Sequence, residues 1–143
     1  MNFYFFFNKV NYQTRGCSGF TIGTNTKVLL SCSWEKLRFK IEYEYALAKG
    51  NTANSYVIAS NKIDIFDPPR ENFTQIYLEK IQTIFDVTKI NYVIIGHINP
   101  NQATTLKVLY GIAPQITFVA SNSGIINLKK ILGDNNLPII IRG

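Results

Sequence analysis

The one histidine of the chain, His97, opens the hexapeptide His97-Ile98-Asn99-Pro100-Asn101-Gln102, directly after the apolar run Tyr92-Val93-Ile94-Ile95. An imidazole followed closely by polar side chains is the outline of a metal-ligating loop. Iron or zinc held by nitrogen and oxygen donors needs anionic carboxylates or several imidazoles to offset dehydration of the ion. Here Asn99, Asn101 and Gln102 are neutral amides. The segment keeps the shape of a metal loop without its charge. The sequence therefore predicts no bound metal, no cofactor and no catalytic residue, with His97 a hydrogen-bonded histidine at a strand end.

Other chemistries find less support. No Ser-His-Asp order stands out, and no serine sits in a G-x-S-x-G turn. Gly16-Cys17-Ser18-Gly19 and Gly19-Phe20-Thr21-Ile22-Gly23 are glycine-rich but lack a P-loop lysine and the spacing of a dinucleotide fingerprint, so turns are expected there. Asp67, before Pro68-Pro69, is expected to order its loop or to cap the helix that follows. Asp64 and Asp67 could pair across a strand end, but nothing nearby in sequence argues for a raised pKa. Cys17 and Cys32 match no zinc or redox spacing and follow no secretory leader, which predicts two reduced, partly buried thiols.

The elements that must position the loop are those of one domain. A chain of 143 residues with 46% hydrophobic and 17% charged residues can bury a real core. The net charge of +6 and pI near 9.4 permit contact with nucleic acid, anionic membrane or an acidic protein. Its Lys and Arg residues are scattered, which argues against a nucleic-acid partner. Phe3-Tyr4-Phe5-Phe6-Phe7 is apolar yet far below the roughly 18 residues that span a bilayer. It reads as an edge strand or docking segment. The abundance of Asn, Ile, Lys, Phe and Tyr is the bias of an AT-rich genome such as an organelle's.

Val28-Leu29-Leu30 and Arg38-Phe39-Lys40-Ile41-Glu42-Tyr43-Glu44-Tyr45 read as strands, the latter alternating at period two, and Gly50-Asn51 supplies a turn. Ser55-Tyr56-Val57-Ile58-Ala59 and Lys62-Ile63-Asp64-Ile65-Phe66 follow as strands joined by Ser60-Asn61, completing an antiparallel meander. Asp67-Pro68-Pro69 ends it, because prolines cannot donate to a ladder but suit an early helical position. A helix follows, with Phe73, Ile76, Tyr77, Ile81 and Ile84 on one face and Glu71, Gln75, Glu79 and Gln82 on the other. Then come a buried strand at 90–95, a helix over about 101–110 ended by Gly111 and Pro114, and a strand at 116–120. A helix capped by Ser121 or Asn122 and stopped by Gly133 precedes a last strand at 137–141.

From Ser33-Trp34-Glu35 through Leu132 the chain resembles the N-terminal half of the metallo-β-lactamase-like domain of flavodiiron proteins, especially the cyanobacterial and plastid forms. Trp34 with Arg38-Phe39-Lys40-Ile41-Glu42 is similar to that family's opening D-W-x(3)-R-F-D-I-E segment. Gly50-Asn51-Thr52-Ala53-Asn54-Ser55-Tyr56 is similar to its G-T-T-Y-N-S-Y turn, and Ile65-Phe66-Asp67 to its L-V-D-T strand end. Ile90-Asn91-Tyr92-Val93-Ile94-Ile95-Gly96-His97 resembles I-D-Y-I-I-V-S-H, and Ile112-Ala113-Pro114-Gln115-Ile116-Thr117 resembles L-A-P-x-A-T. The resemblance implies a mixed α+β and α/β architecture: half of an αββα sandwich, one mixed sheet with about three helices. It sets a single domain in which residues 1–32 form an aromatic segment and first strands and 33–143 the half domain. Intact members bind two irons and, with a flavin domain, reduce dioxygen or nitric oxide. Carried over, His97 matches a ligand position, Asn99 and Asn101 replace the Glu and Asp, and Gln102 replaces an adjacent residue. The family's remaining His, Asp and His ligands would fall further downstream than Gly143, so they are expected to be absent, as is the flavin domain.

With no second sheet, the face lined by Phe39, Ile41, Tyr56, Ile58, Val93 or their neighbours is expected to meet water over more than the few hundred Å² that a monomer usually shows. Candidate covers are Phe3 to Phe7 folded back, a second copy forming a homodimer, or other subunits. The leading expectation is a non-catalytic structural or linker subunit of a larger photosynthetic assembly, in plastid or cyanobacterium and near the thylakoid through a partner, with no small-molecule substrate. Phe3, Tyr4, Phe5, Phe6, Phe7, Trp34, Arg38, Tyr43 and Tyr45 are the expected anchors, since interface cores favour aromatics and Arg. The rivals are a composite oxygen-reducing enzyme whose partner supplies the missing ligands, and a basic RNA-binding module using exposed aromatics.

Overall fold

The computed structural model describes residues 15–33, 51–134 and 136–141. The expected strand at 38–45 and the anchors Phe3 to Phe7, Trp34, Arg38, Tyr43 and Tyr45 lie outside these residues.

Seven strands form one sheet in sequence order: β1 (Arg15–Gly23), β2 (Thr26–Ser33), β3 (Asn51–Ala59), β4 (Ile63–Phe66), β5 (Ile90–Ile94), β6 (Thr117–Ala120) and β7 (Ile139–Ile141). β1 to β4 pair antiparallel, and the β3–β4 hairpin is the one that the Ser60-Asn61 signal predicted. From β4 to β7 the pairing is parallel. Parallel neighbours need crossovers, and α1 (Thr74–Gln82), α2 (Ala103–Ile112) and α3 (Asn122–Leu132) supply them. Three crossovers of the same hand, stepping in the same direction, place all three helices on one face of the sheet. The result is a mixed sheet backed by one helical layer.

The glycine-rich stretch expected as turns is instead strand β1, a correction that follows from pairing. Arg15 to Thr21 run opposite Ser33 to Lys27 without interruption, and only the bulge between Thr21 and Gly23 breaks register before the turn at Asn25, whose φ is 59°. At Gly19 the small residue has a packing reason. A Cβ there would lie 3.1 Å from Leu29 and 3.2 Å from Lys80, so α1 packs close against this edge.

Alternation separates the two faces. Toward the helices, Val57, Ile65, Val93, Phe118 and Ile139 lie side by side across five strands. The first four are buried and join Leu29, Tyr77, Ile81, Leu106, Leu109, Ile125 and Leu128 in one core. Each such side chain contributes about 1.5–3 kcal/mol relative to exposure. Val93 therefore belongs to the covered face, not to the open one where the sequence reading placed it; Tyr56 does lie on the open face.

The helix boundaries follow local chemistry. In α1 Tyr77 and Ile81 are buried, as is Phe73 in the 3-10 turn before it. Ser121 caps α3 by accepting from the Gly124 amide at 3.3 Å, and Gly133 ends it at φ 68°, both as expected. Helix α2 runs two residues past its predicted end, through Gly111 to Ile112, because Leu109 on its buried face holds the turn against the core.

Candidate functional site

The His97 loop leaves the C-terminal end of β5, where the parallel strands of an α/β sheet present their loops. The backbone closes it on both sides: Ile95 N donates to Val119 O at 2.8 Å, and Asp67 N to Ile94 O at 2.9 Å. Asp67 then turns back. Its carboxylate accepts from the Gly96 amide at 2.7 Å, and a Cβ on Gly96 would come within 3.2 Å of the same carboxylate. A glycine is needed here for close approach. Asp67 itself sits at φ 49°, in the left-handed region that Asp tolerates better than most residues. Asp67 thus orders the loop; it does not cap α1, whose preceding 3-10 turn has no side-chain cap.

The amides are engaged in local structure. Asn99 stands before a 3-10 turn, Pro100–Gln102, that leads into α2. Gln102 Oε1 accepts from the Asn99 amide at 2.9 Å, the Gln half of a capping box, while Gln102 N donates to the Asn99 carbonyl at 2.9 Å as the backbone bond of the 3-10 turn. Gln102 Nε2 reaches across to Pro68 O at 2.8 Å. One side chain therefore pins the His97 loop to the loop after β4. Nearby, Thr74 and Thr105 share a 2.6 Å hydrogen bond and Thr104 donates to Glu71 at 3.1 Å, tying the start of α1 to that of α2. Asn101 Oδ1 is buried with no hydrogen-bond partner among the described residues. His97 is exposed.

Sequence reasoning set Gln102 aside as a neighbour of the ligand positions. The signal was present in Asn99-Pro100-Asn101-Gln102: an N-cap type, Pro at the first turn and Gln three residues on.

Elsewhere the titratable groups have structural surroundings. Burial pushes the pKa of both the Cys17 and the Cys32 thiol upward, and Ser31 donates to Cys17 Sγ at 3.5 Å. The Tyr77 hydroxyl lies in the core 2.9 Å from Ser55 Oγ, which donates to Phe66 O at 2.8 Å; burial pushes its pKa upward. Asp64, expected to be ordinary, has its pKa raised by desolvation, against a smaller opposing pull from Lys62. Its Oδ1 is buried without a partner among the described residues, and no pairing with Asp67 is seen. No group of three His, Cys, Asp or Glu among the described residues could hold a metal ion, and no described helix is long and apolar enough to cross a membrane.

Comparison with known proteins agrees with this architecture. The chain is 63% identical over 120 residues to a putative diflavin flavoprotein, A 6, of Nostoc sp. PCC 7120, covering 84% of this chain and 21% of that protein. It superimposes on a metal-soaked Flv1 flavodiiron core from Synechocystis sp. PCC6803 with TM-score 0.78 and 40% identity, covering 90% of this chain and 32% of that one. The homologues of this chain are flavodiiron proteins. A crystal structure of fragment 1-254 of the Nostoc diflavin flavoprotein A 5 gives TM-score 0.80 and 48% identity, over 90% of this chain and 50% of the fragment. A Thermotoga maritima flavodiiron protein, at TM-score 0.74 and 17% identity, shares the fold. No family model matches the chain. The chain spans about a fifth of the length of the curated relatives it matches, and its fold is half of the flavodiiron metallo-β-lactamase-like sandwich.

The flavodiiron family implies two irons and a flavin. The donors in these 143 residues do not fit a diiron centre, because the sequence holds a single imidazole, the polar positions that follow it are neutral amides, and the Gln102 amide is already committed to the backbone at both ends.

Proposed function

We propose that these 143 residues act as a non-catalytic structural element, a flavodiiron-derived half domain used for its shape and surface. The observation that carries this reading is the Gln102 bridge. Its two polar atoms hold Asn99 N and Pro68 O, so the amide that follows the ligand-like positions serves the fold. Its expected setting is a photosynthetic assembly of a cyanobacterium or plastid, peripheral to the thylakoid through a partner; the support is that the flavoprotein relatives come from cyanobacteria.

Metal analysis of the purified chain after incubation with ferrous iron and with zinc tests the reading. The expected result is no stoichiometric metal in the wild type. One iron or zinc per chain, lost in His97→Ala, would favour a composite oxygen-reducing site completed by other residues, the reading that the exposed side chain of His97 leaves available.

A further inference from the structure

At the end of the sheet opposite the His97 loop, the row Thr21-Lys27-Val57 lies on the helix side and runs past the end of α1, which stops at Gln82. Ile84, just beyond that helix, walls a cleft of about 260 Å³ whose apolar floor is Val57 and Ala59. Lys27, Thr21 and Asn25 form its polar rim. Backbone ties rim to floor: Ala59 N donates to Asn25 O at 2.9 Å, and Thr26 Oγ1 closes the turn onto Thr24 O at 3.2 Å. Lys27 Nζ donates to Thr21 Oγ1 at 2.9 Å, which occupies one of the three donors of an ammonium. Having accepted that bond, the Thr21 hydroxyl keeps its own proton to donate. No Asp or Glu lines the cleft.

We propose that this cleft binds a small monocarboxylate with a short apolar chain. The carboxylate sits on Lys27 Nζ and the Thr21 hydroxyl, and the chain lies against Val57, Ala59 and Ile84. Charge complementarity selects the head group, because an ammonium with spare donors makes its strongest bonds to an anion, and the net charge of +6 favours the approach of one. The floor selects the tail: inorganic phosphate would leave Val57, Ala59 and Ile84 wet, and an uncharged alcohol would leave the ammonium without its counter-charge. The volume sets the size, falling just below the roughly 300 Å³ at which sites for drug-sized ligands begin. No imidazole, thiol or carboxylate lines the cleft, so it is a site that holds its ligand without transforming it. The inference goes beyond the non-catalytic reading, and the metal analysis does not bear on it.

The full chain, labelled with ¹³C in its Ala, Ile and Val methyl groups, is titrated with sodium hexanoate against a matched sodium chloride control and against hexan-1-ol. The expected result is a saturable shift of the Val57, Ala59 and Ile84 methyl signals, with a dissociation constant on the order of 1 mM for so small a ligand. Hexan-1-ol should bind at least about tenfold more weakly, and Lys27→Met should weaken hexanoate by a similar factor while leaving hexan-1-ol unchanged. Ala59→Leu, which puts extra carbons into the cleft, should abolish the Val57 and Ile84 shifts for both ligands. Absence of saturable shifts at these methyls overturns the proposal, as do shifts confined to Ile94 and Val119 on the opposite face of the sheet. Equal binding of hexanoate and hexan-1-ol also overturns it. Should Lys27→Met fail to fold, the comparison of the two ligands on wild type decides.

Discussion

The two faces of one sheet have been solved differently by adjacent residues of the same strands. Phe118 and Val119 are neighbours on β6, yet Phe118 is sealed beneath the helices while Val119 lies in the open row. The same split divides Ile65 from Phe66 and Val93 from Ile94. Both faces are apolar, but only one meets its cover within the described residues. The difference teaches that strand apolarity marks burial of some kind without saying whose atoms provide it.

The largest effect should come from the covered face. Phe118→Ala is expected to destabilise the chain by about 3–5 kcal/mol in urea unfolding, since its site is closed by Tyr110 and the core. Val119→Ala should cost much less, since its side chain is only half-buried. Equal losses for the two would erase the contrast between the faces.

A smaller effect is expected inside the covered layer. Tyr77→Phe removes a buried hydroxyl while Ser55 keeps its bond to Phe66 O, so the loss should be about 1 kcal/mol. A loss no larger than that of a surface substitution would show that this buried pair contributes nothing net.

How much of this was legible beforehand depended on the reach of each interaction. The caps of α3 were readable because Ser121 and Gly133 act within one turn of backbone. The stripe of α1 was readable because helical spacing alone puts Tyr77 and Ile81 on one face. Strand β1 was not, since its glycines lower intrinsic strand preference and its order comes from pairing with β2 across a bulge. Val93 was assigned to the wrong face because a single apolar run has no parity until its neighbours fix the register. In the loop, the missing charge of Asn99 and Asn101 was plain in sequence. The reach of Gln102 to Pro68, 34 residues away, was not.

The smallest predicted effect concerns pH on the open face. Desolvation raises the folded-state pKa of Asp64, so the native chain binds this proton more readily than the unfolded one. Stability should therefore fall as pH rises from the ordinary carboxylate range through the raised folded value. Asp64→Asn should flatten that slope and leave the chain slightly more stable at neutral pH. A steeper slope in the variant would show that another group governs the window.

Whether the His97 loop is a structural cap or a metal loop is decided most directly by urea unfolding of wild type, His97→Ala and Gln102→Ala, each with and without zinc. The account predicts that Gln102→Ala loses about 1–2 kcal/mol through its two broken bridges. His97→Ala should stay within about 0.5 kcal/mol of wild type, and zinc should shift none of the three midpoints. A zinc-dependent rise in the wild-type midpoint that vanishes in His97→Ala would contradict it.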